Sequence, residues 1–404
     1  FSKGDRSVLP LSPVNRRTGK SPSKHTDSGI SGENIIYAFS EASGWNSYME
    51  DRVLISCPFI EKFAWSMFGI LDGHGGSFCS NYLSKNLAEI FGEIVDAKIS
   101  NGEINSNATP QQLRELLEEG CDAAEEKLRL HERMSVYLEK DKIDPMKVIY
   151  AENGQPKKVL EKEMLDASGT TLSICIVTNK CYAICNIGDS RAVVAKFDWQ
   201  KDIVYSKWAS IDHKGDTAEE KERVEKAGGT IDNGGVKFEG FAHRLGMTRT
   251  LGDFAFKQNH LLPRYEQLVV PKPDVTVFDK NLDDQFVVIA SDGVYDLMTS
   301  SEVVTFFSER LTLPTDCMTE EENSSDSTRS SGSSNRDART QERAASACDE
   351  LLEECLRRGS ADNMSVVVVI FGDTTSSTAR SGKGFSEDGD EAALVSKQLF
   401  EGKH

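Results

Sequence analysis

No apolar run in this sequence approaches the roughly 18 residues needed to span a bilayer. The longest, Val366 to Phe371, has the length of a strand, so no membrane association is expected. Basic residues are also short: 47 Lys and Arg face 65 Asp and Glu, a formal charge of −18 over 404 residues. That balance disfavours a nucleic-acid binder, because neutralising phosphates takes a concentrated basic surface. The nine cysteines lack paired spacing and many lie in apolar runs, as Cys175, Cys181 and Cys185 do. A disulfide framework and a zinc cluster are both disfavoured, and a reduced protein of the cytoplasm or nucleus is expected. No cationic segment followed by an apolar stretch opens the chain, so no secretory signal is visible. The first residue is Phe1 rather than Met, and whatever precedes it is unreadable. No convincing internal repeat is present.

Length alone suggests about two or three domains, or one large one with insertions. Residues 1–32 are rich in Ser, Pro and Gly and carry a charge of opposite sign to the rest, which reads as a disordered basic tail. Ser12 and Ser21, each followed by Pro, are candidate phosphorylation positions there. A Ser-rich acidic stretch at about 314–341 reads as a disordered insertion, because folded-looking sequence resumes after it. Residues 374–404 read as a flexible tail, within which Ala392 to Phe400 is compatible with a short helix.

The remainder, 33–373, alternates two kinds of periodicity. Strand candidates are Ile35 to Phe39, Arg52 to Cys57, Phe63 to Leu71, Ile203 to Trp208, Asp274 to Phe278, Gln285 to Ala290 and Ser365 to Phe371. Thr170 to Val177, Cys181 to Asn186 and Arg191 to Phe197 follow one another through short turns and read as an antiparallel meander. Helical patterns cover Ser77 to Phe91, Pro110 to Tyr137, Thr217 to Ala227, Ser300 to Leu311 and Arg343 to Arg358. Clustered hairpins with helices between the clusters predict an α+β fold rather than a parallel α/β sheet.

The acidic residues fall in an informative place. Asp72 and Asp292 each follow a predicted strand, Asp362 and the pair Glu50-Asp51 each precede one, and Asp189 occupies a turn between two. A sandwich gathers its loops at strand ends, and carboxylate oxygens gathered there suit Mg²⁺ or Mn²⁺. Asp-Gly at a strand end is on its own an ordinary turn, so the weight lies in five such positions within one chain.

The segments carrying these acids resemble the metal-dependent type-2C serine/threonine protein phosphatase family. The matching stretches are Gly44 to Asp51, Gly69 to Gly76, Ser168 to Thr171, Asn186 to Arg191, Asp212 to Lys214, Ala227 to Gly229, Thr248 to Asp253, Ala290 to Gly293 and Asp362 to Ser365. They occur in the family's order. The resemblance implies two antiparallel β-sheets packed face to face with helices outside each, in one domain. It implies phosphoprotein substrates, a monomer, and hydrolysis of phosphoserine and phosphothreonine through two Mg²⁺ or Mn²⁺ ions that activate a bridging water. Asp72, Asp292 and Asp362 would serve one ion, and Glu50, Asp72 and the carbonyl of Gly73 the other. Asp189 with Asp292 matches the position of a third, weaker ion. His74 would protonate the leaving oxygen, a task suited to a side chain titrating near pH 6 to 7.

Other residues have plainer assignments. Asp253 and Arg249 are read as holding a loop, and Asp296 as a supporting or helix-start carboxylate. Ser190 has no His partner pattern, which rejects a serine-hydrolase reading. One departure concerns the substrate: four residues before Glu50, many family members carry an arginine that grips phosphate, and this chain has Asn46. Asparagine cannot supply a charged bidentate fork, so weaker phosphate binding is predicted, with Arg52 and Arg191 as nearby basic residues. The segment from Thr230 to His260 falls where the family carries a mobile flap, and its stretch Phe238 to Leu245 departs from the family wording. Asn46 and that segment motivate an alternative, a catalytically weak phosphatase-like binding or regulatory protein.

Overall fold

The computed structural model describes residues 23–32, 35–131, 168–238, 244–311 and 331–371, with side chains described from 335 in the last of these. In chain order the first strands are β1 (Lys24–Ser31), β2 (Ile35–Ala42), β3 (Arg52–Ile60), β4 (Trp65–Leu71) and the two-residue β5 (Gly73–His74). Helices α1 (Phe78–Ser100) and α2 (Pro110–Leu130) follow. Then come β6 (Gly169–Thr170), β7 (Leu172–Val177), β8 (Cys181–Ile187), β9 (Arg191–Asp198), β10 (Ile203–Ala209) and helix α3 (Ala218–Lys226). Short strands β11 (Thr230–Asp232), β12 (Gly235–Lys237) and β13 (Leu251–Gly252) precede β14 (Asp274–Asp279) and β15 (Asp284–Ala290). The chain continues through α4 (Asp292–Tyr295), α5 (Ser300–Leu311), α6 (Ser331–Arg358) and β16 (Met364–Phe371).

Two antiparallel sheets result, ordered β1-β2-β16-β15-β9-β10 and β14-β8-β7-β4-β3. Between them lie Phe68, Ile70, Tyr182 and Ile184 of one sheet against Val194, Val287, Ile289, Val367 and Val369 of the other. The alternate residues point outward, as the two-residue strand period requires. Met67 and Leu71 meet Leu83, Leu87 and Phe91 of α1 and Leu116 and Leu117 of α2. Val366, Val368 and Ile370 meet Phe307 of α5 and Leu351 and Leu352 of α6. β16 is therefore apolar throughout because both of its faces are covered, and each such side chain contributes roughly 1.5–3 kcal/mol by its burial. The α-β-β-α layering is the expected fold class.

Helix α2 starts as its sequence dictates. Pro110 occupies its first turn, and Thr109 and Gln112 form a reciprocal capping box, satisfying backbone N–H groups that have no partner within the helix.

Three expectations are corrected. The meander fails at its second turn: β7 and β8 pair, but β9 joins the opposite sheet, so the chain changes layers through Gly188-Asp189-Ser190. Gly188 makes that crossing at φ 99°, where a side chain would also strike Thr171. Residues Lys24–Ser31 are not tail but an edge strand paired along β2, where Lys24 bridges Asp349 and Glu353 of α6. The insertion ends earlier than 341, since α6 already begins at Ser331. Residues 1–22, 132–167, 312–330 and 372–404 lie outside the described residues, and with them the expectations for the tails, the insertion and the part of the expected helix beyond His131.

Candidate active site

Register brings the acids together. Arg52 pairs with Leu71, so Asp51 and Asp72 leave the same end of adjacent strands. Ala290 pairs with both Val366 and Arg191, which sets Asp292, Asp362 and Asp189 at one end of the other sheet. The crossing from β8 to β9 joins the two ends. Asp51, Asp189, Asp292 and Asp362 all act electrostatically on Asp72.

The loop carrying Asn46 is tied to the segment before β16. Asn363 donates from Nδ2 to the carbonyls of Ser43 (2.9 Å) and Tyr48 (3.0 Å), and its Oδ1 accepts the Glu50 N–H at 2.7 Å. Gly44, at φ 56°, passes so close to the Asp362 carbonyl that a Cβ would collide with it. Asn46 then donates from Nδ2 to Asp362 Oδ1 at 2.9 Å. An open cleft of about 350 Å³ lies beside this contact, bordered by Asn46, Asp296 and Asp362, with Gly293 and Ser360 in its lining. Glu50 Oε1 accepts the Gly76 N–H at 2.9 Å, so the glycine-rich turn is fastened to the Glu50 loop.

The charges in this cluster oppose one another. Burial and the negative fields of Asp51, Asp292, Asp189 and Asp362 hold the Asp72 carboxyl well above the usual carboxylate range. Burial, Asp189, Asp296 and Asp362 push Asp292 up to about 8. Asp51, fully buried, is pushed up to about 6 by desolvation and Asp362, with the Ser291 and Ser365 hydroxyls partly offsetting the rise. Asp51 Oδ2 and Asp189 Oδ1 are buried without a hydrogen-bond partner. A cation sits nearby: Lys214 Nζ lies 3.4 Å from Asp189 Oδ2 and 3.9 Å from Asp296 Oδ1.

Such a set fits hard dications by its donor chemistry: carboxylate oxygens, two of them buried without a hydrogen-bond partner, repelling one another across the cluster although Lys214 offsets Asp189. Among the described residues no three His, Cys, Asp or Glu side chains converge into a ready-made cage. Mg²⁺ does not need one, since it keeps several waters and takes one or two carboxylates directly.

His74 stands on β5, which pairs with β6 so that His74 faces Gly169. Its Nε2 meets Asp253 Oδ2 at 2.7 Å, while its Nδ1 is buried without a partner. Burial works against the imidazolium, but Asp253 overrides it, and the His74 pKa is raised. Gly169 makes the pair possible, because a Cβ there would collide with Asp253 Oδ2 and crowd His74 Nε2.

Asp253 therefore does more than hold a loop. Nothing in the sequence signals this, because it lies 179 residues from His74. Asp51 was legible only as the neighbour of Glu50, and Lys214 only as part of Asp212-His213-Lys214. Arg249 has the loop-holding role, binding Glu220 through Nε and Nη2 and Asp274 at 2.8 Å. Neither basic candidate for phosphate reaches outward. Arg52 is engaged by Asn81 and by the carbonyls of Met49 and Asp51. Arg191 forks onto Asp212 at 2.9 and 2.7 Å and stacks on Tyr295. In the flap region β11 and β12 form a small hairpin, and residues 239–243 lie outside the described ones.

An α-β-β-α sandwich thus carries acidic residues at one end and an Asp-oriented histidine beside them. The family model of protein phosphatase 2C matches residues 35–364, and the chain belongs to that family. It is 31% identical over 349 residues to protein phosphatase ppm-1.A of Caenorhabditis elegans, covering 84% of this chain and 60% of that one. It thus spans less than two thirds of that relative. Probable protein phosphatase 2C 21 of Arabidopsis thaliana is 28% identical over 362 residues, covering 84% of this chain and 88% of the relative. Among solved structures, the serine-threonine phosphatase 2C of Toxoplasma gondii superposes with a TM-score of 0.61 at 18% identity, covering 87% of this chain and all of that one. That likeness speaks for the fold.

Proposed function

We propose that the chain hydrolyses phosphoserine and phosphothreonine in protein partners, acting as a monomer with two Mg²⁺ or Mn²⁺ ions and a third held more weakly. The observation that carries this reading is the Asp253-oriented His74 beside five mutually repelling carboxylates. Asp72, Asp292 and Asp362 would hold one ion, Glu50, Asp72 and the Gly73 carbonyl the second, and Asp189 with Asp292 the third. When bound, such ions make a water acidic enough to attack phosphorus at neutral pH and offset the phosphoryl charge. Asp253 keeps His74 oriented and favours its protonated form, so the imidazolium can deliver a proton to the leaving Ser or Thr oxygen. Asn46 would offer its remaining amide N–H to the phosphate, a weaker grip than a guanidinium.

The binding-protein alternative makes no use of buried carboxylates that repel one another, which cost stability. The eight described cysteines are all free thiols, which supports a reducing compartment, cytoplasm or nucleus. No described helix is long and apolar enough to cross a membrane.

The test is phosphate release from a phosphothreonine peptide in ¹⁸O-labelled water with Mn²⁺ present. Water attack on phosphorus puts the label into inorganic phosphate. Label in the threonine product, or no release at all, contradicts the proposal.

A further inference from the structure

Asp253, which orients His74, sits on a backbone turn at φ 49°, a conformation a side chain other than glycine's rarely adopts. Something must hold that turn. Glu125 of α2 accepts the Gly252 N–H on Oε2 at 2.9 Å and meets Lys257 Nζ with Oε1 at 2.8 Å. Lys257 Nζ also donates to the Thr250 carbonyl at 2.7 Å. The ion pair is sealed, with its side chains 1% and 2% exposed. Buried ion pairs are a poor source of stability, because desolvation consumes most of the attraction. What this one does is bracket Asp253 from both sides. The same helix face repeats the grip a turn away in each direction: Asp122 accepts Tyr265 Oη at 2.6 Å, and the Arg129 guanidinium stacks on Phe254 at 4.5 Å.

We propose that Glu125 and Lys257 are positioning residues for proton delivery, with α2 fixing the 250–257 turn so that Asp253 holds His74 against the leaving oxygen. The inference rests on the phosphatase reading above. In the step concerned, a water-derived hydroxide bonds to phosphorus as the P–O bond to Ser or Thr breaks; the electrons of that bond pass to the Ser or Thr oxygen, which takes a proton from His74. His74 is left neutral, its Nε2 still held by Asp253.

The experiment compares two substrates with the metal-loaded full chain. A phosphothreonine peptide has a leaving group that needs the proton, whereas p-nitrophenyl phosphate has one that leaves without it. The double variant Glu125→Leu/Lys257→Met removes both charges and so leaves neither buried alone. It is expected to lose about tenfold in kcat on the peptide, with KM unchanged, and less than about twofold on the aryl phosphate. Asp253→Asn should show the same selective pattern more strongly. If a thermal melt shows the double variant unfolded, Asp122→Asn, on the exposed end of the same grip, must give the selective loss in milder form. Equal losses on both substrates, or no loss on either, overturn the inference. A wild-type chain that hydrolyses neither substrate overturns the phosphatase reading instead.

Discussion

The side-chain amide of Asn46 donates to Oδ1 of Asp362 at 2.9 Å, and that same oxygen also accepts the Asn363 N–H at 2.7 Å. Where the family resemblance places an arginine aimed at substrate, this chain has a short amide turned onto a carboxylate of the cluster. In the proposed site, the group at that position is thus neutral and already half used. Asn46→Arg should lower KM for a phosphopeptide by about tenfold, the size of one charge-assisted hydrogen bond, with kcat little changed. An unchanged KM in steady-state kinetics sinks this account of Asn46.

The carboxylate cluster makes the stability of the metal-free chain depend on pH in a definite direction. Asp292 is raised to about 8 and Asp51 to about 6, whereas an unfolded Asp titrates near 3.9. Between those values the folded state binds more protons than the unfolded state, so stability falls as pH rises. Chelator-treated protein should show a Tm that drops between about pH 5 and pH 8. Added Mn²⁺ should restore it, with the larger gain at the higher pH, because it binds the folded state and supplies the missing countercharge. A Tm that rises over that range contradicts the electrostatic reading.

Gly169 offers a test of the His74–Asp253 pair that leaves both side chains in place. A methyl group there collides with Asp253 Oδ2 and His74 Nε2, two groups held by their own hydrogen bond. Gly169→Ala should therefore cost about 10²-fold in phosphopeptide kcat, and about 1–3 kcal/mol in urea-measured stability. Wild-type turnover in the folded variant would show that the pair tolerates displacement and is not needed.

The layer between the sheets bears on stability and not on the site. Ile184 is fully buried there among Phe68, Val194 and Val287. Ile184→Ala should destabilise the fold by about 2–5 kcal/mol in denaturant titration while leaving Mn²⁺ affinity at its wild-type value.

Much of this arrangement is legible in the sequence, because strand and helix periods are local. Val366 to Ile370, apolar at every position, has the pattern of a strand covered on both faces, and acids at strand ends have that of a cluster. What could not be read depends on long-range pairing. The turn Gly188-Asp189-Ser190 looks like a hairpin by its length, and only the register of β9 against β15 shows that it carries the chain across the sandwich. Lys24–Ser31 looks like a tail because it is mostly polar and holds one large apolar residue, Ile30, yet an edge strand half open to solvent needs no more than that. Asp253 and Glu125 carry no local signal, since the residues they bind lie more than a hundred positions away.

The central claim, dication-dependent hydrolysis at the carboxylate cluster, is tested most directly by one assay. Phosphate release from a phosphothreonine peptide is followed with Mn²⁺, then with excess chelator, and in parallel with Asp292→Asn. The account predicts turnover with Mn²⁺, its loss on chelation, its return when Mn²⁺ is restored, and little or none in Asp292→Asn. Turnover that survives chelation, or that persists undiminished in Asp292→Asn, would contradict it.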